Sequence, residues 1–278
     1  MPERLLLCTD LDRTLLPNGP QPESPRAGAQ FAALAADSRL VLAYVTGRDQ
    51  QLVQQALSHY RLPLPNFVIG DVGATIYQIE PDGSWRADRT WEERIGTDWN
   101  GRSNQDLRQL LANITGMQLQ EESKQNRHKL SYYLPLDMDR EAIVRTAAAE
   151  LDAAAVNARI VWSIDEQADI GLLDILPKSA SKYHAILMLQ RLQGFTDSDT
   201  VFSGDSGNDM EVLISSIPSI LVANSALEVQ TEALNLAAAC GHSAQLYIAS
   251  GGYNDMNGNY SAGILEGISH YHPDWRPQ

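Results

Sequence analysis

Asp10 and Asp12 follow directly on an apolar run in LLLCTDLDRTLL, residues 5–16, where a buried strand would ordinarily carry no charge. Alternate residues leaving a strand point the same way, so the two carboxylates share one small site, and their repulsion is costly unless a cation lies between them. A hard cation with oxygen ligands, such as Mg²⁺, suits that need, although an aspartate pair at a strand end also serves as a turn or helix cap. A second group, VTGRD at 45–49, offers the Thr46 hydroxyl, Gly47 for close backbone approach and the Arg48 guanidinium, all able to grip phosphate oxygens. A plain strand end with a helix cap reads the same way. In FSGDSGNDMEVL, 202–213, Asp205, Asn208 and Asp209 crowd around two glycines. A strand-to-helix loop needs only one cap, so the extra carboxylates point to metal ligation. Lys182, in PKSASKYHAI, stands at or near a helix start, where the helix dipole disfavours a cation unless an anion such as phosphate is held there too. Lys178 competes for that role, and a solvated surface lysine is the plain alternative for either.

The elements around these residues place them on one edge. RLLLCTD (4–10), RLVLAYVTG (39–47) and NFVIGDVGATIYQ (66–78) read as three strands separated by two helical stretches, the βαβαβ order of a parallel sheet. Ligands of open α/β sheets bind beyond the C-terminal strand ends, which is where Asp10 and Thr46 fall. After PDGSW the texture changes. Trp85, Trp91 and Trp99 come close together, and strand candidates HKLSYYL (128–134), ARIVWSI (158–164) and IGLLDILP (170–177) flank an Ala-rich helix at 140–155. The α/β alternation then resumes with a helix at 181–192 and strands at 199–205 and 218–224. The expected organisation is a core of residues 1–81 plus 175–278 with an inserted α+β domain at 82–174.

The chain has 278 residues and a formal charge of −14, which argues against a nucleic-acid or anionic-membrane partner, because a polyanion is repelled at long range. Any phosphorylated substrate must therefore meet a locally positive site. No stretch has the roughly 20 apolar residues of a membrane span and no signal pattern opens the chain, so a cytoplasmic protein is expected. Cys8 and Cys240 are too few for a disulfide framework, and Cys8 reads as a small core residue.

Asp10-x-Asp12-x-Thr14, Thr46-Gly47-Arg48, Lys182 and Gly204-Asp205-Ser206-Gly207-Asn208-Asp209, in this order, resemble the motifs of the haloacid dehalogenase (HAD) superfamily of phosphatases. Within it, DLDRTLL, SKYHAI, HKLSYYL and AGILEGISHY are similar to the sucrose-phosphate phosphatase group. The resemblance implies a Rossmann-like parallel-sheet core with an inserted α+β cap of the C2B (type IIB) class. It also implies roles. Asp10 would be the nucleophile and Asp12 the general acid and base. Mg²⁺ would be held by the Asp10 side chain, the Asp12 carbonyl and Asp205, with Asp209 close by, and Thr46 and Lys182 would bind phosphoryl oxygens. It selects Lys182 over Lys178. Arg13 stands where many relatives have glycine, and the Gly- and Asn-rich middle of residues 247–267 is longer than the group leads one to expect; a place at the site entrance is one reading of it.

The expected activity is Mg²⁺-dependent hydrolysis of a glycosyl phosphate, sucrose 6-phosphate first, by a monomer whose partner is a small phosphorylated sugar. Mannosylfructose-, glucosylglycerol- or glucosylglycerate-phosphate is the alternative within the class; a phosphomutase or a non-catalytic sugar-phosphate-binding module lies outside it. Specificity is expected from the insert, with Gln125, His128 and Lys129 of KQNRHKLSYY as sugar contacts, alongside Gly47, Arg48 and Asn208 from the core motifs. Trp91 and Trp99 have the faces to stack on a sugar ring, but packing in a small domain is the plainer reading.

Overall fold

The computed structural model describes residues 3–165 and 168–275. Residues 1–87 and 182–278 form one compact unit and residues 88–181 a second. The first unit begins with β1 (Leu5–Thr9), β2 (Leu40–Val45), β3 (Phe67–Gly70), β4 (Thr75–Ile79) and β5 (Trp85–Ala87). The second holds β6 (Gln118–Leu119), β7 (Leu130–Leu134), β8 (Ala158–Asp165) and β9 (Ile170–Pro177), after which β10 (Thr200–Gly204), β11 (Ser219–Leu221) and β12 (Leu246–Ile248) return to the first.

The first unit's sheet runs β12-β11-β10-β1-β2-β3-β4-β5, parallel from β12 to β3. β1 is central, and Leu5, Leu6 and Leu7 are wholly buried, which contributes roughly 5–9 kcal/mol relative to exposed side chains and fixes the strand firmly. Register does the positioning. Thr9 lies opposite Ser203 of β10 and Tyr44 of β2, so the residues that leave these strands emerge side by side. The Asp10 amide extends the ladder by donating to the Ser203 carbonyl at 2.9 Å. Helices Ala27–Ala35 and Ser261–Tyr271 bury Phe31, Leu34, Ile264 and Ile268 in the same core as Leu5 and Leu42.

Two expectations change here. NFVIGDVGATIYQ is an antiparallel hairpin, β3 and β4, because Asp71, Val72 and Gly73 all take positive φ and reverse the chain. The units also divide at 88 and 181, not at 82 and 174. Trp85 lies on β5, which pairs with β4 of the first sheet, and β9 pairs along its whole length with β8.

The second unit carries an antiparallel sheet of order β6-β7-β9-β8 with helices Arg89–Gly96, Asn104–Leu111 and Arg140–Ala153. Trp99, Leu107, Leu130, Leu151 and Ile175 share its core, and Trp91 is equally buried. Both tryptophans are thus packing residues. Among the described residues no helix is long and apolar enough to cross a membrane. Cys8 is buried in β1 and Cys240 is exposed, both as free thiols.

Candidate active site

The end of β1 delivers Asp10 into a buried cluster. Its Oδ1 accepts from the Leu11 amide at 2.7 Å, which fixes the rotamer, and its Oδ2 lies 3.1 Å from Lys182 Nζ. Lys182 also donates to Asp209 Oδ1 at 2.7 Å. It opens the helix Lys182–Gln193, so the sequence-predicted lysine reaches the strand ends from a helix start. Lys178 belongs to the second unit.

Asp205 and Asp209 follow β10. The Asp209 Oδ2 accepts from the amides of Asp205 and Ser206 at 3.1 and 3.2 Å, folding the loop back on itself. Gly204 makes this possible: a Cβ there would stand 2.5 Å from Asp209 Oδ2. Thr14 donates to Asp205 Oδ1 at 3.2 Å, and Arg13 Nε stands 3.5 Å from Asp205 Oδ2. Carboxylate oxygens of Asp10, Asp205 and Asp209 lie within 4.8 Å of one another. Such a cluster strains its own ionisation. Burial, Lys182 notwithstanding, and the neighbouring Asp209 and Asp205 charges push Asp10 well above the carboxylate range. Burial and the Asp209 charge push Asp205 up to about 7. Burial alone would lower Lys182, but its two carboxylate partners hold it above its ordinary value. Three buried hard-oxygen donors with excess negative charge are what a divalent cation fits. Each of the three carboxylates already has partners: Asp10 the Leu11 amide and Lys182, Asp205 the Thr14 hydroxyl and Arg13, and Asp209 Lys182 and the loop amides.

Asp12 differs. Its carboxylate receives Arg48 in a two-pronged pair, Nε to Oδ2 at 2.7 Å and Nη2 to Oδ1 at 2.6 Å, and the Asn18 amide adds a third bond at 2.7 Å. Burial raises the Asp12 pKa, but these bonds and the Arg48 charge outweigh it and leave the group below its ordinary value. Arg48, expected on substrate, is therefore engaged by Asp12, a long-range pairing that local spacing does not reveal. Thr46 is fully buried at the end of β2, its hydroxyl accepting from the Arg48 amide at 3.2 Å. The Asp71–Gly73 turn braces this loop, Asp71 N donating to Arg48 O and Val72 N to Thr46 O. Asp49 is the helix cap, accepting from Leu52 N at 2.8 Å, so Thr46 and Arg48 are not needed for capping. Gly47 and Asn208 are exposed; a Cβ at Gly47 would make only an ordinary contact, so the close backbone approach expected there is not forced by packing.

The three sugar candidates sit in the second unit. Gln125 is a structural residue, its amide spent on Gln120 O, Ser131 O and Ser131 N at 2.8–3.1 Å. Lys129 is buried. His128 packs edge-on to Trp99 and beneath Gly96, and lines a cleft of about 600 Å³ with Glu92, Asn104 and Arg127. Burial, with the Arg127 charge, lowers His128 to about 4. Asn18, Asn224 and the Asp71 turn were not anticipated as supports of the site; the Pro-Asn-Gly turn at 17–19 is the one local signal that flags Asn18.

The sequence model of the sucrose-6F-phosphate phosphohydrolase family matches residues 3–272. A HAD-like hydrolase of Nitrosococcus oceani is 51% identical over 99% of this chain and 74% of its own length. The mannosylfructose-phosphate phosphatase of Agrobacterium fabrum is 34% identical over 81% of this chain and 85% of its own. Sucrose-phosphatase 1 of Nicotiana tabacum is 28% identical over 96% of the chain, which spans 59% of that enzyme's length. Among solved structures, the sucrose-phosphatase of Synechocystis sp., determined with sucrose and phosphate, shares the fold with a TM-score of 0.75 at 23% identity, covering 97% of this chain and 98% of its own.

Proposed function

The chain belongs to the sucrose-6F-phosphate phosphohydrolase family, and from that premise and the geometry of the site we propose that it is a Mg²⁺-dependent phosphatase of a disaccharide phosphate, with sucrose 6-phosphate as the leading substrate. The observation that carries this reading is the buried Asp10–Lys182–Asp209 chain beside Asp205 at the ends of β1 and β10.

Asp10 is the nucleophile. Its carboxylate oxygen forms a bond to phosphorus as the bond from phosphorus to the sugar oxygen breaks, giving an aspartyl phosphate. Asp12 gives a proton to the departing sugar oxygen, then takes one from the water that attacks phosphorus and breaks the bond to Asp10, which restores both side chains. The pair with Arg48 keeps Asp12 deprotonated, so the pair must open before Asp12 can act as the acid, and Arg48 is then free for phosphoryl or sugar oxygens. Lys182 and Thr46 bind the transferring oxygens. Asp10, Asp205 and the Asp12 carbonyl would hold Mg²⁺, which when bound offsets charge on the phosphoryl group. In the second unit, taken as the cap, His128 is the one sugar candidate that lines an open cleft.

A second reading keeps the chemistry and changes the sugar: the 34% identity to a mannosylfructose-phosphate phosphatase favours mannosylfructose phosphate. Phosphate release from sucrose 6-phosphate, mannosylfructose phosphate, glucosylglycerol phosphate and simple hexose phosphates, with and without Mg²⁺, separates the two. Sucrose 6-phosphate is expected to give the highest kcat/KM, and Asp10→Asn, nearly isosteric, to abolish turnover while the fold is kept. Substantial turnover by Asp10→Asn would overturn the covalent route, and tight binding without turnover of any compound would overturn the enzyme reading.

A further inference from the structure

Arg13 is a non-glycine residue in the left-handed region, with φ 58°. Its conformation is held from both sides, because its amide donates to Asn18 Oδ1 at 2.8 Å and its carbonyl accepts from Asn224 Nδ2 at 2.6 Å. Asn224 is buried, and its other amide atom, Oδ1, accepts from the Tyr260 amide at 2.8 Å, so one side chain ties Arg13 to Tyr260. Tyr260 closes the Gly- and Asn-rich segment 251–260 and itself takes a positive φ of 51°. That segment straps the stretch after β1. Asn257 and Asn259 both donate to Pro22 O, at 2.8 and 3.0 Å, and Tyr260 Oη donates to Gln21 O at 3.1 Å. Its far end is anchored by Glu266, which is buried and accepts from the Ser250 and Gly251 amides at 2.9 Å.

The outcome of this construction is the place of one charge. Arg13 Nε is buried without a hydrogen-bond partner among the described residues, 3.5 Å from Asp205 Oδ2, while the side chain as a whole is 39% exposed. A guanidinium so placed opposes a cation held by the acid cluster and attracts an anion arriving beside it. We infer that Arg13 is a positioning and charge-balancing residue of the site, held in its left-handed backbone by the 251–260 strap through Asn224. It tunes the site against over-tight cation binding and toward phosphate. Only the phosphate half of this inference rests on the phosphatase reading; the cation half stands on the cluster alone.

The test is direct binding by calorimetry, without turnover: Mg²⁺ to the free protein, and inorganic phosphate at saturating Mg²⁺. Arg13→Gly suits the backbone and removes the charge. It is expected to bind Mg²⁺ tighter and phosphate weaker, each by about fivefold or more, the effect of one unit charge about 4 Å away in a water-like dielectric. Arg13→Lys keeps the charge and stays within about twofold of the wild type in both. Asn224→Ala frees the Arg13 carbonyl and shifts both affinities in the same opposed directions as Arg13→Gly, and the double variant adds little. Opposed signs separate charge balance from simple damage, which weakens both. The inference is overturned if both affinities weaken in Arg13→Gly, if neither moves, or if Asn224→Ala and Arg13→Gly are additive. Loss of the phosphate shift alone, with the Mg²⁺ shift kept, would count against the phosphatase reading and leave the cation half in place.

Discussion

Replacing Lys182 with methionine tests how the site stores its charge. Nζ lies 3.1 Å from Asp10 Oδ2 and 2.7 Å from Asp209 Oδ1, and the three side chains are 5%, 9% and 0% exposed, so solvent screens none of these contacts well. At an effective dielectric of about 20, each contact near 3 Å is worth about 5 kcal/mol of Coulomb attraction, offset by the cost of keeping the lysine dry. Removing one partner of a buried pair leaves the others uncompensated, which costs about 3–5 kcal/mol. Without Lys182 the orphaned Asp10 rises further above the carboxylate range and escapes its cost by taking a proton, so the deficit is largest at high pH and shrinks on acidification. Urea unfolding followed by far-UV circular dichroism, in chelator so that no cation substitutes for the lysine, measures this. Lys182→Met should lose about 3–5 kcal/mol at pH 7.5 and clearly less at pH 5, and Lys182→Met with Asp10→Asn should recover part of the loss while remaining inactive. A deficit under about 1 kcal/mol at pH 7.5, the range of an exposed pair, or no recovery in the double variant, would refute the reasoning.

Arg48→Leu removes the two-pronged pair that does most to hold Asp12 below its ordinary value, leaving burial opposed only by the Asn18 bond and the Lys182 charge. The limb of the pH–rate profile governed by Asp12 should move to higher pH, and an unchanged profile would show that Arg48 does not set it. His128 is held neutral in the fold, its pKa lowered from 6.5 to about 4, so the unfolded chain takes the proton first as pH falls. About 3 kcal/mol of stability should therefore be lost as pH falls from about 6.5 to about 4, and a His128→Leu chain whose stability falls as steeply as the wild type over that window would rule this out.

What was legible in the sequence is what is local in it. Asp10, Thr46 and Asp205 each terminate a short apolar run, and strands of a parallel sheet pair in register, so three separate motifs converge without any long-range information beyond strand order. Lys182 was legible only in part: a lysine at a helix start calls for an anion, but Lys178 fitted the same local signal, and the family resemblance chose between them. The supports were not, because each depends on a partner far along the chain: Arg48 on Asp12, and Asn224 on both Arg13 and Tyr260. Gln125 shows the opposite failure. An amide suited to a sugar hydroxyl is equally suited to the backbone of a neighbouring strand, and composition cannot tell a donor that is free from one that is spent. The hairpin at Asp71–Gly73 escaped notice for a related reason, since two of its three left-handed residues are not glycine.

The charge arithmetic of the site bears on how so acidic a chain would accept the anion that the proposed function requires. Four carboxylates, Asp10, Asp12, Asp205 and Asp209, face three cationic side chains, Lys182, Arg48 and Arg13, each in contact with at least one of them. With all four acids ionised the balance is slightly negative, in a protein of charge −14, so in that state a phosphate dianion gains nothing by entering the site. One divalent cation reverses the sign. Arg13 then matters more than its exposure implies: without it the loaded site would be close to neutral, and with it the site is positive only once the acids are compensated. In the proposed phosphatase the same three cations that hold the carboxylates in place would thus make phosphate binding conditional on the cation, and bias the site to load in that order.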